Sequence, residues 1–349
     1  MTEDQARDRD IAMAERILTV DNLKIDIPVP AGMLHAVQGV SFKVDRGETL
    51  CIVGESGCGK SLTSLAIMDL LPTKAIRTAT KLELDNQNVL DIKEDKMADI
   101  RGNRMGMIFQ EPMTSLNPAY TIGNQMEETL MRHRRASREE ARDRAVFLLE
   151  KVGITAARSR LRQYPHQLSG GLRQRVMIAM TLMCGPDLII ADEPTTALDV
   201  TIQAQILLLL AELQKEFDMG LILITHDLGV VARVADRVAV MYAGQIVEQG
   251  SAKQVFENPT HPYTQGLLEC IPIPGKTARG SHLGSIPGIV PSLIGEMHCC
   301  HFADRCSYVS ELCHSAPVDL QTGHTDAHDY RCVLSPKQCA ENIKQEVSK

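Results

Sequence analysis

The sequence contains no tryptophan, and aromatic residues make up only 3% of its 349 residues. Long apolar runs are also missing: the longest, such as residues 206–211, fall far short of the roughly 18 residues that a membrane-spanning helix needs. The polar N-terminus lacks the apolar core of a signal peptide. These absences predict a globular chain that stays in the cytosol and has no segment crossing a membrane.

An excess of basic residues is missing as well. The formal net charge is −7 and the isoelectric point is near 5.9, so we expect neither DNA nor RNA as a partner. Hydrophobic residues account for 44% of the chain, enough to fill the core of one large or two medium domains. Six of the ten cysteines follow position 298, and in a cytosolic chain we expect thiols or metal ligands rather than disulfides.

A glycine-rich loop at residues 54–61 fits the pattern G-x-x-x-x-G-K-[ST] between an apolar run and a helical pattern. Glycines let successive backbone N–H groups surround phosphate oxygens at a helix N-terminus, where the helix dipole also favours anions. We therefore predict ATP binding, with Lys60 on the β- and γ-phosphates and Ser61 on Mg²⁺. The strand and helix patterns on either side disfavour a turn that binds nothing. The predicted nucleotide-binding residues of this loop are Gly54, Glu55, Ser56, Gly57, Cys58, Gly59, Lys60, Ser61 and Leu62.

The chain ahead of this loop lacks aromatic residues, because no Phe, Tyr or Trp precedes Phe42. We therefore expect aliphatic side chains such as Ile27 or Val29, rather than an aromatic ring, to contact the adenine. The runs 17–20, 23–27 and 40–44 predict short strands that Pro28, Pro30 and Gly32 separate, forming an antiparallel layer.

Strand and helix patterns alternate through the rest of the first 250 residues. Apolar runs at 105–109, 188–192 and 221–226, with helical patterns between them, predict a parallel sheet with helices on its faces. A charged helical pattern at 137–149 predicts a helical insert over about residues 120–180, and residues 238–248 predict a terminal hairpin. The predicted domains are a mobile N-terminus (1–15), an ATPase domain (16–250) and a C-terminal extension (251–349).

The dipeptide Asp192-Glu193 closes the apolar run at 188–192. On its own, an acidic pair at a strand end is more often a solvated turn. Downstream of a phosphate-binding loop, a carboxylate here can hold Mg²⁺ while its neighbour polarises the attacking water. We therefore predict Asp192 as a magnesium ligand and Glu193 as the general base.

Residues 168–175, Leu-Ser-Gly-Gly-Leu-Arg-Gln-Arg, resemble the signature of the ATP-binding cassette (ABC) ATPases. Gln110 matches the Q-loop of that family, residues 196–199 its D-loop and His226 its switch histidine. The resemblance covers roughly residues 16–335, and Leu172 stands where the family most often has Gln. It implies an α/β fold: a P-loop NTPase parallel sheet core with an antiparallel β layer, a helical signature subdomain and a Cys-rich C-terminal extension.

The resemblance also implies roles for the remaining site residues. In ABC ATPases two cassettes pack head to tail, so the signature of one completes the ATP site of the other. Glu193, His226, Gln110 and Lys60 would be catalytic, and Gln110 would join Ser61 and Asp192 around Mg²⁺. The nucleotide contacts implied across the interface come from Ser169, Gly170, Gly171 and Asp199.

Within the family, residues 109–118, 175–180 and 258–264 resemble the dipeptide and oligopeptide importer ATPases. Those proteins bind a four-iron, four-sulfur cluster, which implies the ligand set Cys300, Cys306, Cys313 and Cys332. Cys299 stands where the relatives usually have Gly. The alternatives are a zinc site with His298 and His301 nearby, or free thiols.

The implied function is ATP hydrolysis that energises import of dipeptides or oligopeptides, at the cytoplasmic face of a bacterial inner membrane. The implied partners are a second, homologous ATPase subunit forming a heterodimer, two membrane permeases contacted after Gln110 through about Tyr120, and a periplasmic or extracellular binding protein. Nickel or an oligosaccharide is the alternative cargo. A chromosome-maintenance ATPase is disfavoured, because it needs a long coiled coil between the phosphate loop and the signature.

Overall fold

The computed structural model describes residues 15–110, 115–196, 198–270, 284–323 and 327–339. The predicted mobile N-terminus, apart from Glu15, lies outside the described residues, as do residues 111–114 of the predicted permease contact and Ala197 of the D-loop. The chain divides into two compact units. The first comprises residues 1–19, 43–49 and 83–224, and the second comprises residues 20–42, 50–82 and 225–349.

The described strands and helices follow in chain order. The strands are β1 (Arg16–Val29), β2 (Gly32–Asp45), β3 (Thr49–Val53), β4 (Ile76–Thr78), β5 (Lys81–Leu84), β6 (Gln87–Asn88), β7 (Met105–Ile108), β8 (Leu188–Asp192), β9 (Gly220–Ile224), β10 (Arg237–Tyr242), β11 (Gln245–Ser251), β12 (Gln321–Thr322) and β13 (Asp329–Tyr330). The helices are α1 (Lys60–Ile67), α2 (Glu94–Ile100), α3 (Ile122–Arg134), α4 (Arg138–Lys151), α5 (Ala157–Arg160), α6 (Gly170–Thr181), α7 (Val200–Glu216), α8 (Leu228–Val234), α9 (Ala252–Glu257), α10 (Pro262–Glu269) and α11 (Glu311–Ser315).

The core of the first unit is the parallel arrangement of β7, β8 and β9. Every residue of these three strands is buried, as expected for parallel strands covered on both faces. Burial of each Ile, Leu or Met side chain contributes about 1.5–3 kcal/mol relative to exposure. The register sets Asp192, the last residue of β8, opposite Ile224. The predicted strands are confirmed. The acidic pair lies at the end of β8.

The helices of the first unit begin at side-chain caps. The Thr121 hydroxyl accepts the Asn124 N–H at the start of α3, and Ser137 with Glu140 forms a reciprocal capping box at the start of α4. Buried Glu127 accepts hydrogen bonds from Arg138 and Arg142, each at 2.9 Å, which ties α3 to α4. The helix predicted from the charged pattern at 137–149 is confirmed.

In the second unit, β3 runs parallel to β10, and β10 pairs with β11 in the predicted antiparallel hairpin. The antiparallel strands ahead of β3 differ from the prediction, because β1 and β2 are two strands of 14 residues each rather than three short ones. The predicted breakers lie where β1 ends and β2 begins. Asn22 takes a left-handed conformation with φ of 51°, yet β1 continues through this residue.

Across the residues that the structure describes, no helix combines the length and apolar character that a membrane span requires.

Candidate nucleotide-binding site

The phosphate loop, residues 54–61, connects the buried strand β3 to α1 in the second unit. Gly54 has a φ of 150° and Gly59 a φ of 103°, values in the region that favours glycine. A Cβ on Gly54 would lie 2.1 Å from the Met241 carbonyl oxygen, and one on Gly59 would lie 2.7 Å from the Ala36 carbonyl oxygen. The loop therefore needs glycine at both positions for space as well as for backbone conformation.

Lys60 is the first residue of α1 and is 4% exposed. Its Nζ donates to the carbonyl oxygens of Gly54, at 2.8 Å, and Glu55, at 2.9 Å. It also lies 3.6 Å from the Cys58 sulfur. The ammonium group is thus held over the loop that the sequence predicts for phosphate.

The Cys58 thiol is buried, and burial raises its pKa although neighbouring Lys60 lowers it. The thiol is therefore a neutral packing group, and the backbone amide is the part of Cys58 suited to an anion. In this structure that amide donates to the Glu55 carbonyl oxygen at 3.4 Å.

Two residues far along the chain hold Glu55, the second residue of the loop. Its backbone N–H donates to the Tyr263 hydroxyl at 2.9 Å. Its carboxylate accepts two hydrogen bonds from Arg305, at 2.6 and 3.0 Å, in a bidentate ion pair. Hydrogen bonding to Glu55 raises the pKa of the Arg305 guanidinium. No motif identified either partner from the sequence.

Aromatic rings pack beside this ion pair in the second unit. The Tyr242 ring lies 4.6 Å from the Tyr263 ring and 5.2 Å from the Phe302 ring, centroid to centroid. The Arg305 guanidinium carbon lies 5.7 Å from the Tyr242 ring centroid, within cation–π range. The chain uses its few aromatic residues to pack the C-terminal segment behind the phosphate loop.

His226, the predicted switch histidine, follows β9 and is exposed. Hydrogen bonds fix the backbone on either side of it. The Thr225 hydroxyl accepts the Asp227 N–H at 3.1 Å, and the Asp227 carboxylate caps α8 by accepting the Val230 N–H at 3.2 Å. The histidine is therefore held in a defined turn at the strand end.

The acidic pair of the first unit lies where β8 ends. Asp192 is 5% exposed, and Glu193 takes a left-handed conformation with φ of 43°. The Glu193 N–H donates to the Ile224 carbonyl oxygen at 2.9 Å, which extends the β8–β9 pairing by one residue.

The structure brings the predicted Q-loop glutamine to the predicted base. Gln110 Nε2 donates to Glu193 Oε2 at 3.2 Å, and the Thr196 hydroxyl donates to the same oxygen at 3.2 Å. Two hydrogen-bond donors therefore converge on one carboxylate oxygen. Thr196 belongs to the predicted D-loop, but the sequence did not indicate its contact with Glu193.

The signature segment, residues 168–175, forms the start of α6 in the first unit. Ser169 is the N-cap, yet its side chain makes no capping hydrogen bond. A Cβ on Gly170 would lie 3.4 Å from Leu198, and one on Gly171 would lie 3.3 Å from Ile202. The signature glycines thus pack close to the D-loop and to α7, where Asp199 is an exposed N-cap without a side-chain capping bond.

The four predicted cluster cysteines line one cavity of the second unit, here called the cysteine cavity. The Cys300 N–H donates to the Cys313 carbonyl oxygen at 2.8 Å, which draws two of the four segments together. Backbone amides donate to two of the sulfurs: Tyr308 to Cys306 at 3.4 Å and Leu334 to Cys332 at 3.5 Å. The lining cysteines are Cys300, Cys306, Cys313 and Cys332.

The thiols of this cavity differ in acidity. Burial raises the pKa of Cys300 to about 11 and that of Cys306 to about 12. A hydrogen bond from the Cys339 thiol lowers the pKa of Cys332. Among the described residues, no group of three or more His, Cys, Asp or Glu side chains is placed to hold a metal ion.

The two histidines considered for zinc are not among the residues that line the cysteine cavity. His301 Nδ1 lies 3.0 Å from the Ala243 carbonyl oxygen, and His298 forms an ion pair with Glu296 at 3.2 Å. His261 does line the cavity, but its Nδ1 accepts the Tyr263 N–H, and burial lowers its pKa to about 3.

Known proteins resemble this chain over nearly its whole length. A family model described as ABC transporter matches residues 37–196, and a model of the oligopeptide/dipeptide transporter C-terminal region matches residues 247–313. The dipeptide transport ATP-binding protein of Bacillus subtilis is 48% identical over 325 residues, covering 93% of this chain and 96% of that protein. The oligopeptide transport ATP-binding protein of the same organism is 51% identical over 298 residues, covering 85% of this chain and 83% of that protein.

Among solved structures, a dimeric ATP-binding cassette in a post-hydrolysis state with ADP and phosphate is similar, with a TM-score of 0.61 and 29% identity. The match covers 68% of this chain and 99% of that chain. The fold is therefore that of an ABC ATPase. The chain belongs to the family of ATP-binding subunits of ABC-type peptide importers.

Proposed function

We propose that this chain binds and hydrolyses ATP and thereby drives import of dipeptides or oligopeptides. The observation that carries the proposal is the phosphate loop, where glycines that tolerate no Cβ precede a lysine held at a helix N-terminus. The relatives named for peptide transport extend over the C-terminal region as well, which supports peptide rather than another cargo.

The phosphate loop would bind the nucleotide through its backbone N–H groups. Lys60 would exchange its present carbonyl partners for the β- and γ-phosphate oxygens, which satisfy an ammonium group better because they are charged. Ser61, Asp192 and Gln110 would hold Mg²⁺, and all three offer the oxygen ligands that this ion prefers. When bound, Mg²⁺ supplies charge neutralisation at the phosphates.

Hydrolysis would need a base that orients and deprotonates water. Glu193 takes this role in the proposal, because it directly follows β8, the strand between β7 and β9 in the first unit. Gln110 and Thr196 donate to one of its oxygens and thereby orient the carboxylate, which would accept a proton from water. His226 would contribute a hydrogen bond to the γ-phosphate, as the resemblance implies.

The signature segment would act on ATP bound by a second cassette. Ser169 and the amides of Gly170 and Gly171 lie at the start of α6, where an anion is favoured, and the Ser169 side chain makes no capping hydrogen bond. Asp199 would contact the same interface. The similar cassette solved as a dimer supports an assembly of two cassettes, and we propose a homologous, non-identical subunit as the partner.

The assembly would lie at the cytoplasmic face of a bacterial inner membrane. Two integral-membrane permeases would contact the segment after Gln110, near Tyr120, which is 55% exposed. A periplasmic or extracellular binding protein would deliver the peptide, since no part of the proposed site on this chain recognises cargo.

We further propose that Cys300, Cys306, Cys313 and Cys332 hold a four-iron, four-sulfur cluster with a structural role. The common cavity and the two amide-to-sulfur hydrogen bonds support it, because such bonds stabilise thiolates on iron. Anaerobically purified chain is expected to contain about four irons. The Cys306→Ser, Cys313→Ser double variant should lose them. Cys270→Ser, outside the cavity, should keep them, and zinc in place of iron would contradict the proposal.

ATP hydrolysis is tested by Glu193→Gln in the assembled transporter reconstituted into vesicles. ATP turnover and peptide uptake should fall by about 100-fold or more, while ATP affinity stays within about twofold of wild type, because only proton abstraction is lost. Glu212→Gln, an exposed change of the same chemistry on α7, is the matched control and should leave turnover unchanged. Turnover near wild type in Glu193→Gln would refute the base assignment.

A further inference from the structure

The C-terminal segment that carries the cysteines reaches the phosphate loop through Arg305. This arginine immediately precedes Cys306 and is nearly completely buried, with 3% of its side chain exposed. Five hydrogen bonds use its three guanidinium nitrogens. They run to the two carboxylate oxygens of Glu55, the carbonyl oxygens of Ile286 and Pro287, and the Tyr242 hydroxyl. The guanidinium is therefore fixed in one orientation.

Glu55 is in turn fixed at three separate groups. Tyr263 accepts from its backbone N–H, Lys60 donates to its carbonyl oxygen, and Arg305 holds its carboxylate. Two of these three partners come from outside the phosphate loop. The conformation of the loop at its second residue is thus set by the C-terminal part of the second unit.

Charge gives this arrangement a consequence for nucleotide binding. Glu55 is an acidic residue inside a loop that receives a triphosphate, and like charges at short range repel each other strongly in a partly buried site. The paired guanidinium cancels that charge. Without Arg305, a carboxylate with 31% of its side chain exposed would remain beside the phosphates.

We propose that Arg305 is a positioning residue for nucleotide binding, which holds the phosphate loop through Glu55 and neutralises the acidic charge within it. The inference rests on the proposed function only in that the loop binds ATP. It places a residue of the cysteine-containing segment in the nucleotide site, where Arg305 acts through Glu55 rather than on the phosphates.

The test measures the dissociation constant of Mg·ATP for the full-length chain, by displacement of a fluorescent ATP analogue. Arg305→Met should raise this constant about tenfold, because it leaves the Glu55 carboxylate unpaired. Glu55→Gln should raise it less, by about threefold, because Arg305 then keeps only neutral partners while no anionic charge remains in the loop. The double variant should recover most of the loss in Arg305→Met, which a merely structural role of Arg305 would not produce.

Arg331→Met is the matched control. Arg331 also directly precedes a cysteine of the cavity, but its guanidinium donates to the carbonyl oxygens of Ile246 and Val318, which lie outside the phosphate loop. The ATP affinity of the Arg331→Met variant should stay within about twofold of wild type. An equal loss in both arginine variants would overturn the proposal, because the effect would then come from the cysteine segment as a whole.

Unchanged ATP affinity in folded Arg305→Met, or no recovery in the double variant, would also overturn it. If Arg305→Met does not fold, the test compares the Mg·ATP dissociation constants of Arg305→Lys and Arg331→Lys instead. Lysine cannot reproduce the bidentate pair, so the dissociation constant should rise about threefold in Arg305→Lys and not in Arg331→Lys. Equal constants in the two variants would refute the inference. A wild-type chain that fails to bind ATP would instead overturn the proposed function, so the two failures are distinguishable.

Discussion

The phosphate loop and the signature segment each lead into a helix N-terminus, yet the chain holds them in different ways. In the loop, Lys60 donates to two carbonyl oxygens, and Glu55 is bound at its amide, carbonyl and carboxylate. In the signature segment, the N-cap Ser169 makes no capping hydrogen bond, and Asp199 at the start of α7 makes none either.

This difference separates a preorganised half of a site from a half left for a partner. Hydrogen bonds within the chain hold Glu55 and Lys60 of the phosphate loop, so binding a triphosphate requires little ordering of the loop. The signature segment keeps polar groups at a helix start without side-chain caps, which suits an anion that arrives from another molecule. Substitutions should therefore affect chain stability in the first region and activity of the assembly in the second.

The largest effect is expected from Gly54→Ala in the phosphate loop. The new Cβ would meet the Met241 carbonyl oxygen at 2.1 Å, so the backbone of β10 or of the loop must move. The free energy of unfolding should fall by about 3 kcal/mol or more, and ATP binding should be lost. Urea unfolding of the chain without nucleotide measures the first quantity.

Gly57→Ala is the control within the same loop. A Cβ there meets nothing within 4 Å, so only the positive φ of 81° opposes it. The expected loss of unfolding free energy is about 1 kcal/mol. Equal losses at the two positions would show that backbone conformation alone, and not close approach to β10, sets the requirement for glycine.

A smaller effect, of opposite kind, is expected from Ser169→Ala in the signature segment. Because no capping hydrogen bond is lost, the free energy of unfolding should change by less than about 0.5 kcal/mol. ATP turnover of the assembled transporter should nevertheless fall by about tenfold or more, since a hydrogen-bond donor to the γ-phosphate would be missing. Paired denaturation and turnover measurements separate the two quantities.

Ser137→Ala should show the reverse pattern. Ser137 caps α4 in a complete capping box, so its loss should lower the free energy of unfolding by about 1 kcal/mol while turnover stays unchanged. A destabilised Ser169→Ala chain with normal turnover would remove the distinction between the two regions.

The sequence predicted most of the fold because strong local patterns coincide with the final elements. Uninterrupted apolar runs identified β3, β8 and β9, since buried parallel strands need no alternation. The sequence pattern wrongly divided β1 into residues 17–20 and 23–27 and indicated only residues 40–44 of β2. The predicted breakers do lie at the end of β1 and the start of β2, but Asp21 and Asn22, residue types that are infrequent in strands, lie within β1.

The site was predictable where its residues follow a motif in one stretch, and not where distant segments meet. Local motifs indicated Lys60 and Glu193, and the family resemblance indicated Gln110; the catalytic roles of all three stay predictions. By contrast, Tyr263 lies 208 residues and Arg305 lies 250 residues from Glu55 along the chain. No periodicity or spacing connects positions so far apart, so the support of the phosphate loop emerged only from the folded structure.

The backbone of Glu193 shows what the proposed base costs the folded chain. Its φ of 43° is unfavourable for any residue with a Cβ, by about 1 kcal/mol or more, whereas glycine adopts it freely. Folding alone would favour glycine at this corner. With Glu193 as the proposed base, the chain would give up some backbone stability to keep a carboxylate at this position, and a chain with a relaxed backbone and glycine at residue 193 would be inactive.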